Sequence, residues 1–413
     1  MLYRYKITPP NSINTEVSLP PSKSISNRAI ILNALSLNPN PVSNLSDCED
    51  TQVILDVFNS KSNVFDVKGA GTAMRFLTAF LAGMEGEWIL KGSERMHQRP
   101  IHPLVETLVA LGANITYLEK EGFPPLKIVG KNLKGGEVYL SGNISSQFIS
   151  ALLMVAPLME KGLTMHIETE IVSRPYIEQT IEMMSRYGVN VKWTANKISV
   201  KHQAYKASDI VVETDWSSAS YWYEIASLLP GSKITLKGLV KNSIQGDSKV
   251  ATLFNDLGVS TEFKENSAVI KSAKKKTKKF FHDFVNEPDL VQTFVAACCF
   301  KNVEFLFSGI QSLKIKETDR VQAMITEMRK FGYVLKENGI GMLEWDGERC
   351  VPEAKPIVAT YDDHRMAMSL APGAIVLGDI MVDDPRVVAK SYPNFWEDLE
   401  FAGFKIDEIE IKK

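Results

Sequence analysis

The sequence predicts an α/β (α+β) protein with mixed sheets, divided into two domains. Three observations lead to this fold class. The chain has 413 residues, which is more than one ordinary hydrophobic core organises. Several helical stretches end in a glycine and are followed by a β-rich segment. These glycines also recur at a nearly constant spacing, which is typical of duplicated structural units.

The helix–glycine–strand junctions set the predicted order of elements. In each stretch the apolar residues fall at helical spacing, and a glycine can adopt the left-handed conformation that ends a helix. The junctions lie at Gly112, Gly188, Gly258, Gly332 and Gly403, so the intervals are 76, 70, 74 and 71 residues. Any α/β protein contains such junctions, but the regularity favours repetition. Six copies would make two domains of three.

Strands are predicted directly after these glycines. The segments 114–118, 189–193 and 259–263 carry β-branched and aromatic residues, as strands do. A first copy of the repeat is expected to end near residue 40. The helical stretch NRAIILNALSLN lies there, although no glycine ends it.

The overall charge argues against a nucleic-acid partner. Lys and Arg number 47 and Asp and Glu number 49, which gives a net charge of −2, whereas nucleic-acid-binding proteins are usually basic. The run 271–279 holds six lysines. It could contact nucleic acid, but no aromatic or arginine residue interleaves within it, which favours a solvated loop. Anionic ligands would instead need a local cluster of cations.

Several features predict a cytoplasmic protein without a membrane partner. The N-terminal stretch MLYRYKITPP lacks the apolar segment of a secretory signal. Apolar runs such as 149–159 are too short to span a bilayer. Four cysteines in so long a chain make no disulfide framework. Cys298 and Cys299 adjoin within an apolar run, which is typical of buried thiols in a reducing compartment.

Two motifs in the first half of the chain suggest anion binding. In LPPSKSISNRA, Lys23 and Arg28 flank serines directly before a helix, where backbone N–H groups and the helix dipole favour an anion. Plain capping by Ser26 or Asn27 is the alternative. In KGAGTAMRF, glycines let backbone N–H groups converge on a phosphate or carboxylate. A tight turn without a ligand is the alternative reading there.

Three further stretches add polar residues at predicted helix starts. Arg99, in SERMHQRPI, could clamp a carboxylate with its guanidinium fork. The nearby His97 and His102 have no Cys or acidic residue at metal-ligand spacing, so no metal site is predicted. Hydroxyl groups open two successive helices, in GNISSQF and VSRPYI. They could share a phosphate or simply cap those helices.

The second half of the chain carries the candidate acid/base groups. Lys316, Glu317 and Arg320 cluster in IKETDRV, while Arg365 and Lys390 lie in DDHRMAM and AKSYP. A carboxylate between cations can act as a general acid or base. Each motif alone could be structural. Together they indicate a site for two or more anionic groups, with Glu317 and Asp289 as acid/base candidates, no covalent nucleophile, and addition or elimination as the chemistry.

Eight motifs in order resemble the 5-enolpyruvylshikimate-3-phosphate (EPSP) synthases. They are LPPSKSISNRA, GAGTAMR, RPI, SSQFISALLM, VSRPYI, IKETDRV, DDHRMAM and AKSYP, and they extend from about Leu19 to Phe395. The resemblance implies two domains, each of three βαβαββ repeats, with the ligands in the cleft between them. One domain would comprise residues 1–18 and 214–413, and the other 19–213. The first repeat is shortened between residues 50 and 69.

The resemblance also implies the reaction and its residues. The enolpyruvyl group of phosphoenolpyruvate would pass to the 5-hydroxyl of shikimate 3-phosphate, with release of phosphate and without a metal or organic cofactor, in a monomer. The catalytic residues would be Lys23, Asp289, which accepts the hydroxyl proton, and Glu317, which moves the proton at the methylene carbon. Phosphoenolpyruvate would be held by Lys23, Gly71, Arg99, Gln147, Arg320, Arg365 and Lys390. Shikimate 3-phosphate would be held by Lys23, Ser24, Arg28, Ser145, Ser146, Gln147, Ser173, Tyr176, Asp289, Ser312 and Lys316.

Three residues depart from the family pattern. Gly69 stands where Asn is usual, Phe76 where Pro is usual, and Ser312 where Asn often contacts the shikimate. None of the three changes removes a charge or a proton carrier, so they affect expected affinities and not the expected reaction.

Two other functions compete with this one. A related carboxyvinyl transferase that acts on a UDP-sugar typically carries a reactive cysteine in its Gly/Arg loop, whereas Cys48, Cys298, Cys299 and Cys350 all lie elsewhere. A non-catalytic anion- or RNA-binding protein would need no acid/base pair among its cations. In such a protein the lysine run 271–279 would take part in binding.

Overall fold

The chain forms two compact units. The computed structural model describes residues 2–143, 145–274 and 277–411, so Lys275 and Lys276 of the lysine run lie outside the described residues. Unit 1 comprises Met1–Pro20 and Thr214–Lys413, and unit 2 comprises Pro21–Glu213. The chain therefore starts in unit 1, forms all of unit 2, and then returns to unit 1.

The described residues form 20 strands and 13 α-helices. The strands of unit 2 are β3 (Val64–Asp66), β4 (Gly86–Lys91), β5 (Asn114–Tyr117), β6 (Leu126–Gly130), β7 (Gly136–Leu140), β8 (Leu163–Ile167), β9 (Val191–Thr194) and β10 (Lys197–Val200). Its helices are α1 (Lys23–Leu35), α2 (Glu49–Asn59), α3 (Gly71–Ala82), α4 (His102–Ala110), α5 (Ser146–Val155) and α6 (Arg174–Arg186).

Unit 1 takes its first two strands from the start of the chain. Its strands are β1 (Leu2–Thr8), β2 (Asn14–Ser18), β11 (Lys233–Lys237), β12 (Val259–Lys264), β13 (Ser267–Ser272), β14 (Lys279–Asp283), β15 (Glu304–Ser308), β16 (Lys336–Glu337), β17 (Leu343–Trp345), β18 (Ile357–Val358), β19 (Ile380–Asp383) and β20 (Lys405–Ile411). Its helices are α7 (Trp216–Leu228), α8 (Val250–Leu253), α9 (Val291–Phe300), α10 (Arg320–Lys330), α11 (His364–Leu370), α12 (Ala374–Leu377) and α13 (Phe395–Phe401).

One βαβαββ repeat recurs through both units. In the repeat β3-α3-β4-α4-β5-β6, the sheet order is β3-β4-β6-β5, with β3 parallel to β4 and antiparallel pairing between β4 and β6 and between β5 and β6. The same order occurs in β7-β8-β10-β9 and β14-β15-β17-β16. The repetition predicted from the glycine spacing is therefore present.

Two repeats of unit 1 are completed by strands from the N-terminus. Strand β2 pairs in parallel with β11, which gives the order β2-β11-β13-β12. Strand β1 lies between β19 and β20 and pairs antiparallel with both. These pairings join segments more than 200 residues apart, so local sequence patterns carry no signal for them.

The remaining repeat, which contains the first two helices of unit 2, is reduced. It supplies α1 and α2, but among the described residues its strands shrink to isolated bridges, from Ser36 to Tyr205 and from Ser43 to Val211. The helix α1 ends at an extended Ser36 and not at a glycine, as the sequence indicated. Five repeats thus have a four-stranded sheet in the described part of the chain.

The predicted glycine stops are confirmed. All five adopt positive φ values, from 79° at Gly188 to 105° at Gly112, a region in which side chains other than glycine are strained. The stretch before Gly258 differs from the expected long helix, because only Val250–Leu253 is α-helical, after a 3₁₀ turn at Gly246–Lys249. Asn255 and Asp256, which favour turns over helix interiors, follow after Phe254.

The first helix of each repeat lies in the core. All ten residues of α9 are buried, as are all but two of α7 and all but one of α3. In unit 2 the helices α1, α3 and α5 contact one another, and in unit 1 α7, α9 and α11 do so. Each unit is therefore organised around three buried helices, and the polar side chains at their first turns are brought close together.

Candidate active site

The residues predicted from the sequence lie at helix starts. Lys23, Gly71 and Ser146 are the first residues of α1, α3 and α5. Asp289 lies in the 3₁₀ turn before α9, and Arg365 is the second residue of α11. The first turn of a helix has unsatisfied N–H groups and the positive end of the dipole, so both units present polar ends suited to anions.

Arg28 forms the centre of one group in unit 2. Its Nε donates to Thr180 Oγ1 at 2.7 Å, its Nη1 to the Ser24 carbonyl at 2.8 Å, and its Nη2 to the Tyr176 carbonyl at 3.1 Å and Ser150 Oγ at 3.5 Å. Every one of these acceptors is neutral. The sequence had indicated that Arg28, Ser24 and Tyr176 belong to one site, and the structure brings them together.

The charge of Arg28 is buried without a carboxylate partner. The side chain is 3% exposed, and burial lowers its pKa to about 10. Among the described residues, no Asp or Glu forms an ion pair with it. The ring of Phe76 faces the guanidinium at 5.4 Å, so this aromatic side chain partly stabilises the charge. Burial of a cation without an ionic partner is costly, and an anionic ligand would offset that cost.

Lys23 is paired in the structure. Its Nζ lies 3.1 Å from Asp50 Oδ2, a carboxylate in the first turn of α2 that the sequence reasoning did not single out. Both side chains are mostly buried, at 18% and 12% exposed. Asp50 thus holds the Lys23 ammonium near the start of α1, and an incoming anion would compete with Asp50 for it.

Gly71 and Arg99 are in direct contact. A Cβ atom at position 71 would lie 2.6 Å from Arg99 Nη2 and 2.8 Å from Nη1, so a glycine is required for the guanidinium to lie against this turn. Arg99 Nη1 also donates to the Gly69 carbonyl at 3.4 Å. Arg75 links the turn at Gly71 to the segment that holds Arg99, because it donates to the carbonyls of Gly71 and Pro100.

The serines predicted at helix starts take the expected positions. Ser145 caps α5, where its Oγ accepts from the Gln147 N–H at 3.3 Å, so the capping alternative holds for this residue. The Gln147 side chain donates to Thr72 Oγ1 at 3.3 Å, which ties α5 to the Gly71 loop. Ser173 precedes α6 with φ 54° and makes no side-chain capping bond. Its hydroxyl is therefore not used to cap that helix.

Asp289 forms the centre of the group in unit 1. Its Oδ2 lies 2.8 Å from Arg365 Nη2, and its Oδ1 lies 3.3 Å from Arg320 Nη1 and 3.9 Å from Lys316 Nζ. Arg365 also donates to the Asp289 carbonyl at 3.1 Å. Three cations predicted from two motifs, IKETDRV and DDHRMAM, thus converge on one predicted carboxylate.

These cations control the protonation of Asp289. Burial by itself would raise the pKa of Asp289, but Arg365, Lys316 and Arg320 outweigh it and hold the pKa far below its usual range. Conversely, burial would lower the pKa of Arg320, but Asp363, Glu317 and Asp289 raise it. Asp289 and Arg320 are therefore ionised at neutral pH.

Arg320 is the organising cation of the cluster. Its guanidinium, which is 2% exposed, contacts Asp363 with Nε at 2.7 Å and Nη2 at 3.3 Å. The same Nη2 lies 2.9 Å from Glu317 Oε2. Asp363, which caps α11 through the Arg365 N–H, was missed as a functional residue. Its capping position at the start of a helix was the signal that could have found it.

The two remaining predicted residues differ in their surroundings. Lys390 lies in a 3₁₀ turn before α13, and its Nζ contacts Asp362 Oδ1 at 2.5 Å and the Asp362 carbonyl at 2.7 Å. Ser312 lies in the 3₁₀ turn Gln311–Ile315. No hydrogen bond between described residues links Ser312 to the Asp289 cluster.

Comparison with known proteins identifies the family. A family model described as EPSP synthase (3-phosphoshikimate 1-carboxyvinyltransferase) matches residues 7–60 and 55–399. The chain belongs to the EPSP synthase family. A 3-phosphoshikimate 1-carboxyvinyltransferase of Bacteroides fragilis (strain YCH46) is 50% identical over 404 residues, which cover 98% of each chain. Another, from Vibrio campbellii, is 36% identical over 424 residues, covering 95% of this chain and 98% of that one.

Solved structures agree on the fold. An EPSP synthase from Acinetobacter baumannii matches 99% of this chain and 100% of its own with a TM-score of 0.77, at 21% sequence identity. At that identity the likeness shows the fold alone, and it confirms the expected enolpyruvyl transferase-like architecture. Within the described part of the chain, no helix is long and apolar enough to cross a membrane.

Proposed function

We propose that this chain transfers the enolpyruvyl group of phosphoenolpyruvate to the 5-hydroxyl of shikimate 3-phosphate and releases phosphate. As a member of the EPSP synthase family, it is a carboxyvinyl transferase of the shikimate pathway. The observation that carries the proposal for its chemistry is the cluster in which Arg320 holds Glu317 and Asp289 at once. Two carboxylates for proton transfer are thereby kept beside cations for the substrates' charges.

Asp289 is proposed to accept the proton of the attacking 5-hydroxyl. Its depressed pKa keeps it ionised in the resting enzyme. The phosphate and carboxylate of the substrates would share the positive charge of Arg365 and Arg320, which weakens the hold of these cations on Asp289. Its pKa then rises, so it becomes a stronger base when the substrates are bound.

Glu317 is proposed to move the proton at the methylene carbon of phosphoenolpyruvate. Its carboxylate is 17% exposed, so one face remains open to a ligand while Arg320 fixes its orientation. In the addition step a protonated Glu317 gives its proton to that carbon, and in the elimination step it takes a proton back. When Glu317 gives up its proton, the negative charge that it gains lies beside Arg320, which stabilises the transition state of that step.

Cations and hydroxyl groups of both units are proposed to bind the anionic groups of the substrates. The uncompensated charge of Arg28 suits the phosphate of shikimate 3-phosphate, with hydroxyl groups from the neighbouring helix starts. The residues assigned to this substrate are Ser24, Arg28, Ser145, Ser146, Gln147, Ser173, Tyr176, Asp289, Ser312 and Lys316. Phosphoenolpyruvate is assigned to Gly71, Arg99, Gln147, Arg320, Arg365 and Lys390, and Lys23 is assigned to both ligands and to catalysis.

The expectations of a cytoplasmic monomer without a nucleic-acid partner stay predictions. The described ends of the lysine run fit a solvated segment, because Lys271 and Lys279 form exposed ion pairs with Glu262 and Glu304. Such pairs leave less free positive charge for a nucleic acid.

The test is phosphate release by the purified chain. We expect release only when phosphoenolpyruvate and shikimate 3-phosphate are both present, with each substrate alone as a control. Lys23→Met should abolish release, whereas Lys61→Met, at an exposed position in the loop before β3, should not change it. No release from folded wild-type protein would contradict the proposal. UDP-sugar acceptors would then be tested under the same conditions.

A further inference from the structure

Glu327 is a buried carboxylate of unit 1 that the mechanism above does not use. It lies in α10 and is 0% exposed. Its Oε2 lies 2.8 Å from Lys330 Nζ and accepts from the Ala359 N–H at 3.1 Å. Its Oε1 accepts from Tyr361 Oη at 2.7 Å. A buried carboxylate is costly unless its oxygens are paired, and two of these three donors belong to the segment 359–362, which joins β18 to α11.

The backbone of the segment 359–362 is unusual. Tyr361 and Asp362 adopt φ values of 55° and 54°, in the left-handed region that a bulky side chain such as that of tyrosine rarely adopts. Two such residues in succession persist only when contacts from the surrounding structure hold them. The carboxylate of Glu327 supplies contacts of this kind. Lys330 adds another just before the segment, because its Nζ donates to the Ile357 carbonyl at 2.8 Å.

This backbone places two carboxylates against cations that the proposed function assigns to phosphoenolpyruvate. Lys390 Nζ contacts Asp362 at its Oδ1, at 2.5 Å, and at its carbonyl, at 2.7 Å. Asp363 follows directly and contacts the Arg320 guanidinium at 2.7 and 3.3 Å. A change of φ at residue 361 or 362 would reorient the Asp362 carbonyl. The position of the Lys390 ammonium therefore depends on the conformation that Glu327 helps to hold.

We propose that Glu327 is a positioning residue that acts through Tyr361 to hold Asp362 against Lys390. The cation is then fixed before the ligand arrives, which lowers the entropy that binding must spend. This inference rests on the proposed function, because it concerns the phosphoenolpyruvate that Lys390 is assigned to bind. It gives a role to two residues, Glu327 and Tyr361, that lie outside the acid/base pair and outside the predicted substrate-binding set.

Tyr361→Phe is the mildest test, because it removes only the hydroxyl that Glu327 accepts from. The Tyr361 side chain is 37% exposed, so a phenylalanine fits there without a cavity in the core. We expect the KM for phosphoenolpyruvate to rise about tenfold, since a binding cation loses its fixed position. The kcat should stay within about threefold of the wild type, because Lys390 would contact the substrate equally in the ground state and the transition state.

Tyr223→Phe is the matched control. It removes another tyrosine hydroxyl of unit 1, which contacts Thr261 Oγ1 at 2.9 Å and joins α7 to β12, and it should leave the KM for phosphoenolpyruvate unchanged. A merely structural role of Tyr361 would lower the melting temperature without this selective rise in KM. A KM for phosphoenolpyruvate within about twofold of the wild type in Tyr361→Phe overturns the proposal.

Glu327→Gln supplies a second variant if Tyr361→Phe does not fold. The amide keeps the size of the side chain but has one acceptor oxygen for three donors, so at least one bond is lost. The KM for phosphoenolpyruvate should again rise about tenfold. An unchanged KM in this variant would equally contradict the positioning role.

Hydrogen exchange without substrates separates this inference from the proposed function. The Ala359 N–H donates to Glu327, and the Asp363 N–H donates to the Thr360 carbonyl at 2.9 Å. By mass spectrometry, peptides covering residues 357–363 should exchange about tenfold faster in Tyr361→Phe than in the wild type, and at the wild-type rate in Tyr223→Phe. Unchanged exchange overturns the inference even if turnover is normal.

Calorimetry with phosphoenolpyruvate completes the test without turnover. A dissociation constant about tenfold higher in Tyr361→Phe, together with faster exchange, supports the positioning role even if the wild type releases no phosphate. Equal dissociation constants in the two proteins overturn the role, whatever the exchange rates are.

Discussion

Replacement of Gly71 by Ala tests the contact that defines the Gly71 loop. The new Cβ would lie 2.6 Å from Arg99 Nη2, and an ordinary contact starts at 3.4 Å. The guanidinium must therefore retreat by about 0.8 Å. Because it is the far end of a flexible side chain, it can move at little cost to folding. A displacement of this size at a substrate-binding cation, however, can lower activity by about 100-fold.

The expected loss appears in the use of phosphoenolpyruvate. A 100-fold decrease in kcat/KM corresponds to about 2.7 kcal/mol of transition-state stabilisation. We expect this decrease with phosphoenolpyruvate as the varied substrate, a much smaller change for shikimate 3-phosphate, and a melting temperature equal to that of the wild type or slightly higher, since Ala favours a helix over Gly.

Gly83→Ala is the matched control for this experiment. Gly83 lies at the other end of the same helix, with φ −92°, and a Cβ there would meet no atom closer than 3.7 Å. This variant should keep wild-type kinetics. Assays of phosphate release at varied phosphoenolpyruvate would refute the reasoning if Gly71→Ala stayed within about threefold of the wild type.

Three further changes probe other parts of the molecule. Glu317→Gln should lower kcat by about 10²- to 10⁴-fold while the dissociation constant for shikimate 3-phosphate, measured by calorimetry, changes little; a matching loss of binding would contradict the proton-transfer role. Arg28→Met should abolish binding of shikimate 3-phosphate yet melt no lower than the wild type, because it removes a buried charge that no described Asp or Glu compensates; a large drop in melting temperature would show that the fold needs this charge. Glu224→Gln should stabilise the protein more at pH 8 than at pH 5. Burial raises the pKa of Glu224 well above 4.5, so the folded state keeps a proton that the unfolded state loses, and wild-type stability falls as pH rises above 4.5. Urea unfolding at pH 5 and at pH 8 measures the free energy of unfolding of both proteins. An equal difference between the two proteins at both pH values would contradict this prediction.

The repeat architecture could be predicted to a large extent from local signals. Helix periodicity and glycine stops depend on neighbours within a few residues, and Gly112 to Gly403 behave as predicted. The places of β1 and β2 could not be predicted in the same way, because their partners lie hundreds of residues away in the chain. The brevity of α8 was also missed, since the apolar spacing of that stretch continues beyond the helix itself.

The candidate site, too, was predictable from the sequence only in part. Charged residues at helix starts identified Arg28, Arg320 and Arg365, and hydroxyl groups identified Ser145 and its neighbours. Their partners were not apparent from the motifs. Asp50 and Asp363 resemble ordinary first-turn carboxylates, and Asp247 lies in a turn with no distinguishing composition. What makes each of them notable is a cation or hydroxyl supplied by a distant segment.

The sequence by itself determined the class of fold, the repetition, and the cations available to bind anionic substrates. These properties follow from residue types and short spacings, and the motif order connected them to the EPSP synthases. Only the tertiary structure decided which charges are compensated. Among the residues that the structure describes, no Asp or Glu pairs with Arg28, whereas Arg365, Arg320 and Lys316 surround Asp289, and Asp247 accepts from a hydroxyl and keeps one oxygen buried. Protonation depends on burial and on neighbours within a few ångströms, and folding brings those neighbours from separate repeats.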